Sequence, residues 1–302
     1  MYFLFRVIIT ATIGYLVISH VGLAVITKKL SYINISTLLI CLGVLLTQLF
    51  CTSFRWHILT TTMTNGPGWK KMLQYYWIGI FFNQALPSSF GGDAMRVYLL
   101  QKDLKSKAQA LASVGLERTL GLATLILIAL VSSPEIIDDI DVSIPESYFG
   151  IGFLGLISIA YLTHKMKFLD KLAKIFRRLS EESLKIFRGL TAKPSYILLI
   201  AVLSVATHLL TIFIAWILLK QFGIYVDYLK IVSPVSIAML LSALPITVSS
   251  WGVRETSLVL LLGPLGVEPE TAVATGVSMG LITLIFSLVG GAFYSKGSRL
   301  VV

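Results

Sequence analysis

Six stretches of the chain are almost continuously apolar, near 3–26, 35–54, 109–133, 148–163, 195–220 and 270–294. A helix rising about 1.5 Å per residue needs about 20 residues to cross a hydrocarbon core of about 30 Å. The pattern therefore predicts six full spans, the fourth of them short. The first run is too long for the core of a cleavable leader and reads as an anchor. Two further apolar regions, 72–101 and 229–263, are interrupted near the middle by proline, small residues and charge, which predicts helices broken inside the membrane. Between the fourth and fifth runs, Phe168, Leu169, Leu172, Ile175, Phe176 and Leu179 recur at roughly helical spacing with Lys and Arg between them. That pattern predicts an amphipathic helix lying on the membrane surface.

The two broken regions share a register. One contains "NQALPSSFGGDAMRVYLL" (Asn83 to Leu100) and the other "LSALPITVSSWGVRETSLVLLL" (Leu241 to Leu262). Leu86-Pro87, Gly91-Gly92 and Arg96 match Leu244-Pro245, Ser249-Ser250 and Arg254 position for position. Three predicted spans separate the copies, and an odd number makes the second enter from the opposite face. This is the sequence trace of an inverted repeat, which in transporters sets broken helices around a site near the midplane. The expected fold is an all-α polytopic membrane protein with about six full spans and two broken or re-entrant hairpins. A single transmembrane domain, 1–302, divides into a first half (1–133, hairpin 72–101), a basic connector (164–194) and a second half (195–294, hairpin 229–263).

Composition agrees: 56% of the 302 residues are hydrophobic and 13% charged, which excludes an ordinary soluble domain. The net charge of +10 is concentrated, with nine Lys and Arg between Lys165 and Lys193. Beside membrane spans, such a block is an orientation signal and a contact for anionic headgroups, not a nucleic-acid site. The loop from Ser132 to Ser147 holds five acidic residues and no Lys or Arg. The positive-inside rule then predicts a multi-pass plasma-membrane protein with cytoplasmic N- and C-termini, with Lys28 and Lys29 against the rule. Cys41 and Cys51 lie in one apolar run and read as small buried hydrophobes. The four histidines are scattered, with no HExxH spacing and no P-loop, so no metal, nucleotide or other cofactor is expected.

Charge inside the membrane is the candidate chemistry, because each such group costs about 2.5–3.5 kcal/mol at the bilayer centre. A half-helix starting near Gly92 or Trp251 would aim backbone N–H groups and a positive dipole end at a cavity. Gly91, Gly92, Ser249 and Ser250 would leave those donors accessible to an anion. Arg96 and Arg254, about one turn further on, carry forks suited to phosphate oxygens. Asp93 and Glu255 would hold the arginines without ligand, and Glu117-Arg118 lie deep enough in the third span to join the network. A purely structural alternative makes Asp93 a helix cap paired with Arg96 at i,i+3.

With "FRW" at Phe54–Trp56, "LPSSFGGDAMR" at Leu86–Arg96, "ERTLG" at Glu117–Gly121 and "LPITVSSWGVRE" at Leu244–Glu255, the chain resembles the lysylphosphatidylglycerol synthase transmembrane-region family. It departs from the usual pattern at Ser249-Ser250-Trp251, where a glycine-rich run is more common. The resemblance implies movement of a lipid between leaflets, an aminoacylated phospholipid or an isoprenoid or glycosylated lipid. The aminoacyl-transferase domain of fused members does not occur in these residues, so aminoacylation is not expected of them. Two other functions fit the residues. One is a membrane-embedded enzyme acting on a lipid phosphate or glycolipid, with Asp93, Glu117 or Glu255 as base. The other is a scaffold for a membrane synthase or glycosyltransferase docked on the basic connector. The expected partner of the site is a membrane lipid with an anionic headgroup; oligomeric state is not legible.

Overall fold

A computed structural model describes residues 22–62, 66–86, 90–132, 168–191, 193–244 and 247–298, together with Thr12, Tyr15 and Ser19. Among the described residues the chain is helical without strands. The helices are α1 (Leu23–Ser31), α2 (Ile35–Thr61), α3 (Trp69–Ala85), α4 (Gly91–Leu104), α5 (Lys107–Val131), α6 (Phe168–Thr191), α7 (Pro194–Gln221), α8 (Tyr228–Ala243), α9 (Val253–Leu262) and α10 (Pro269–Ser298). Of the six expected spans, four are present as α2, α5, α7 and α10, all long and apolar enough to cross a membrane. Most of the expected span 3–26 and all of 148–163 lie outside the described residues.

Local chemistry sets the helix ends. Asn34 caps α2 by accepting the Thr37 N–H at 2.7 Å, and Ser106 caps α5 through the Gln109 N–H at 3.3 Å. Asp227 caps α8 through Leu229, and Pro194 opens α7, where its missing N–H costs nothing. Leu127, Leu130, Leu198 and Leu288 are exposed on the outer helix faces, as lipid contact requires.

Helices α2 and α7 form the central pair, and their contacts fix their directions. Thr37 donates to Gln221 at 2.7 Å, Gln48 to Thr211 at 2.6 Å, and Arg55 to Ser204 at 2.8 Å. Numbers rise along α2 as they fall along α7, so the pair is antiparallel. Each leads an equivalent unit of long helix, two shorter arms and long helix: α2–α5 and α7–α10. The units exchange contacts reciprocally, with α3 packed on α10 and α8 on α5. Trp77 of α3 stacks on Phe286 at 5.0 Å, and its indole N–H donates to the Phe286 carbonyl at 3.0 Å. Gly290 permits the approach, since a Cβ there would lie 2.2 Å from the Trp77 carbonyl oxygen. Antiparallel leading helices with reciprocal packing make the repeat inverted, as the spacing predicts.

Both broken segments are re-entrant. In the first, Lys71 at the start of α3 meets Asp103 at the end of α4 at 2.6 Å, and Tyr75 donates to the same carboxylate at 2.8 Å. The arms, 17 and 14 residues long, therefore open at one end of the bundle. At about 26 and 21 Å they are too short to cross. The second hairpin has arms of 16 and 10 residues and starts where α7 ends, at the opposite end of the bundle. Helix α6 docks through Ile186 and Leu190 against Ile58, Leu59 and Ile200, and leaves Leu184 and Phe187 exposed. The apolar positions expected at 168–176 lie among side chains outside the described set.

Candidate functional site

The hairpin tips meet. The Ser249 hydroxyl donates to the Asn83 carbonyl at 2.8 Å, while the Asn83 side chain accepts the Gly92 N–H at 2.8 Å. The second tip is tightly wound, with φ of 47° at Ser249, 64° at Ser250 and 88° at Gly252. Left-handed backbone costs a non-glycine residue roughly 1–2 kcal/mol. At Ser249 and Ser250 it is held by hydroxyl bonds, Ser250 donating to the Ser242 carbonyl at 2.5 Å. The two serines thus occupy conformations for which glycine is the usual residue. Pro87–Ser89 and Pro245–Ile246 lie outside the described residues.

The predicted charges of the first unit form one network. Arg96 Nη1 donates to Glu117 at 3.1 Å and to Asp93 at 3.2 Å, and Arg118 Nε donates to Asp93 at 2.5 Å. Arg55 joins from α2, paired with the other oxygen of Glu117. Arg55, Arg96 and Glu117 are all buried. The Arg96 guanidinium lies in the angle between Trp56 and Tyr76, 4.1 and 4.2 Å from ring centres that are themselves 6.2 Å apart and edge-on, so two cation–π contacts hold it. In the second unit Arg254 binds one Glu255 oxygen through Nε (3.0 Å) and Nη2 (2.6 Å). The other Glu255 oxygen accepts the Gly252 N–H at 2.6 Å, capping α9.

Two adjoining chambers lie at these tips and share Asn83, Arg118, Met239 and Ala243 in their walls. The smaller, about 290 Å³, holds the Arg55–Glu117–Arg96–Asp93 network and His208, whose Nε2 meets the Gly121 carbonyl at 2.9 Å. The larger, about 340 Å³, is lined by Arg118, Arg254, Gln84, Thr211, Ser242, Ser249, Ser250 and Thr283, together with the apolar Val235, Leu258 and Met279. Among the described residues its wall contains no carboxylate. Its two arginines are similarly set: Arg118 is steadied by Asp93 and lies 5.9 Å from the Phe90 ring, while Arg254 is steadied by Glu255 and lies 5.0 Å from Trp251. One comes from each unit.

The structure places the sequence candidates unequally. Asp93, Arg96, Glu117 and Arg118 come together; Arg254, Glu255, Ser249 and Ser250 gather across the tips. Arg96 and Arg254, matched in register, are not matched in setting, for Arg96 is 4% exposed and enclosed while the Arg254 side chain is 17% exposed on the larger chamber. For the glycine pair the expectation of accessible donors is corrected. Gly91 and Gly92 are buried between α3 and α4, and the Gly92 N–H is taken by Asn83. A Cβ on Gly92 would lie 2.1 Å from the Gly79 carbonyl oxygen, so close approach of the arms explains the glycine. Arg55, Trp56, Tyr76, Asn83 and His208 are site residues that spacing alone does not single out. The FRW motif, which sets a charged residue at 55 within an apolar run, is a signal for Arg55 and Trp56. Among the described residues no three His, Cys, Asp or Glu side chains gather as a metal-ligand group.

No solved structure matches the chain. The UPF0104 membrane protein MJ1595 of Methanocaldococcus jannaschii is 23% identical over 91% of this chain and 88% of its own length. Residues 3–291 match the family described as the lysylphosphatidylglycerol synthase TM region. The ordered motifs and a match across nearly the whole length lead to one conclusion: this multi-pass membrane protein belongs to the lysylphosphatidylglycerol synthase transmembrane-region family.

Proposed function

We propose that the protein moves a phosphate-bearing lipid between leaflets, without covalent chemistry, by taking the headgroup into the larger chamber. One observation carries this reading. Arg118 and Arg254, one from each inverted unit, line a chamber at the meeting hairpin tips whose wall has hydroxyls but no carboxylate among the described residues. Two guanidiniums there suit the oxygens of a phosphate, and the wall of Val235, Leu258 and Met279 suits the first carbons of a tail. Asp93 and Glu255 hold the arginines in place, and Arg96 anchors the first hairpin. Rocking of one unit against the other would open the chamber to each leaflet in turn. Lys70, Lys71, Lys102, Lys105, Lys107 and Lys193 belong to the helix ends at the mouth of the first hairpin, so this end faces the cytoplasm of the plasma membrane in our reading.

The test is reconstitution into vesicles carrying a fluorescent phospholipid, with an impermeant quencher reading the outer leaflet. The wild type is expected to bring nearly all of the label to the quencher. Arg118→Gln and Arg254→Gln are expected to leave about half protected while remaining folded. Full movement in both variants would overturn the reading.

A further inference from the structure

The smaller chamber holds buried donors that the charge network leaves unused. Arg55 donates through Nη1 to Ser204 and through Nη2 to Glu117, and Arg96 donates through Nη1 to both Glu117 and Asp93. Arg55 Nε and Arg96 Nε and Nη2 are buried without a hydrogen-bond partner among the described residues. Both side chains are at most 5% exposed, and both line this chamber. A buried N–H without an acceptor has lost its bond to water and gained none, so a ligand bringing oxygens here is favoured. The chamber adjoins the larger one across Asn83, Arg118, Met239 and Ala243. Its volume of about 290 Å³ is close to the lower end of ligand pockets, about 300 Å³.

We infer that the smaller chamber binds an uncharged, hydroxyl-rich group borne on the phosphate of the lipid, a glycerol or a single sugar or cyclitol ring. This rests on the preceding reading of the larger chamber as the phosphate site and names what that phosphate carries. The choice follows from what each headgroup chemistry can exchange with the wall. A second anion would lie against the Glu117 and Asp93 carboxylates. An ammonium has donors only, so it leaves the free N–H groups of Arg55 and Arg96 without an acceptor. A hydroxyl serves both sides. Its oxygen accepts from a guanidinium, and its proton goes to a lone pair that Glu117 or Asp93 retains. Ile80, Leu122 and Leu125 add apolar wall for the C–H face of such a group.

Phosphodiester lipids of equal charge separate hydroxyls from charge: phosphatidylmethanol, which has no hydroxyl, phosphatidylglycerol and phosphatidylinositol. Native mass spectrometry of the purified full chain reads their retention from an equimolar mixture with identical acyl chains, with phosphatidylethanolamine as the ammonium competitor. The wild type is expected to retain the two hydroxylated lipids roughly tenfold over phosphatidylmethanol, the scale of one net hydrogen bond to a charged group. Gly121 lines the smaller chamber and not the larger. A Cβ there lies 3.6 Å from Arg55 Nη2 and 4.0 Å from His208 Nε2, which is ordinary contact, so Gly121→Ala narrows the smaller chamber alone. It is expected to bring the hydroxylated lipids down toward phosphatidylmethanol, whose own retention stays. Arg55→Lys keeps a cation for Glu117, removes the Nε donor and is expected to lower the same preference. Arg254→Gln is expected to lower every phosphodiester lipid alike. Size-exclusion profiles admit only folded variants, and two independent changes to the smaller chamber keep the test open if one does not fold. Equal retention of the three phosphodiesters by the wild type, or preference for phosphatidylethanolamine, would overturn the hydroxyl subsite, and loss on Arg254→Gln would still spare the phosphate site. A hydroxyl preference that survives both Gly121→Ala and Arg55→Lys would also overturn it. Myo-inositol alone is expected to give no bound mass; its retention would make the chamber a site for a free polyol and overturn the lipid assignment. Retention that Arg254→Gln leaves unchanged would overturn the phosphate reading and, with it, this one.

Discussion

Neutralising Glu117 isolates what the charge network contributes to the fold. The carboxylate accepts Arg55 on one oxygen and Arg96 at 3.1 Å on the other, and all three side chains are at most 5% exposed. At 3.1 Å and an effective dielectric of about 20, one such contact has a gross attraction of about 5 kcal/mol. Desolvation of the ions consumes much of this, and removing one partner of a buried pair typically costs about 3–5 kcal/mol, because the remaining charge is left buried alone. Glu117→Gln leaves two guanidiniums facing a neutral amide, so destabilisation of about 4 kcal/mol is expected, a drop on the order of 10 °C in melting temperature. Asp103→Asn serves as the control, since its partner Lys71 is 49% exposed and such pairs contribute about 1 kcal/mol or less. Thermal unfolding of detergent-purified protein, followed by tryptophan fluorescence, reads both variants. If Glu117→Gln melts within about 2 °C of the wild type while Asp103→Asn does the same, the network is not holding α2, α4 and α5 together and the reasoning fails. A double variant, Arg55→Met with Glu117→Met, is expected to recover part of the loss seen in either single change.

Three further outcomes follow from the packing. Gly92→Ala places a Cβ 2.1 Å from the Gly79 carbonyl oxygen and is expected to cost about 3 kcal/mol or more, read as lost yield of monodisperse protein. Gly43→Ala, with nothing within 4 Å of the added Cβ in the middle of α2, is expected to raise the melting temperature slightly through roughly 0.5–1 kcal/mol of helix propensity. At Ser249, with φ 47° and a bond to the other hairpin, alanine keeps the backbone strain and loses the bond, whereas glycine loses both. Ser249→Ala should therefore melt below Ser249→Gly, by about 1 kcal/mol, and a reversed order would show that the left-handed turn is not strained.

The long helices were legible because each is a continuous apolar run, and the hairpins because a break inside the membrane needs proline, small residues and charge. Inversion was legible from counting spans and is seen independently in the antiparallel α2 and α7. What spacing does not give is where a side chain turns once its helix has neighbours. Arg55, Trp56 and Tyr76 stand on α2 and α3, far in sequence from Glu117, and only packing of those helices against α4 and α5 brings them to Arg96. The glycine pair shows the same limit. Glycine beside a helix start suits an exposed anion site and a tight helix seam equally, and the Gly79 carbonyl decides for the seam.

The inverted units therefore repeat a backbone without repeating a charge distribution. Arg96 and Arg254 occupy the same register, but the first hairpin meets Trp56, Tyr76 and Glu117, which surround its arginine. The second meets the small residues of α10. Gly276 lies against Glu255, and Gly280 lies against Arg254 and Trp251, with a Cβ there only 2.5 Å from Arg254 Nη2. Glycine at 276 and 280 thus makes the room in which the Arg254–Glu255 pair sits beside Trp251, where Arg254 stays partly exposed on the chamber. In the first unit that position falls to Arg118 on α5, steadied by Asp93 and near Phe90. Two arginines from opposite units thus reach one chamber by different routes, while Arg96 fixes the hairpin carrying Asp93. In the transport reading proposed above, the first unit would divide two tasks, with Arg96 as the internal anchor of the hairpin and Arg118 on α5 as the group presented to the ligand.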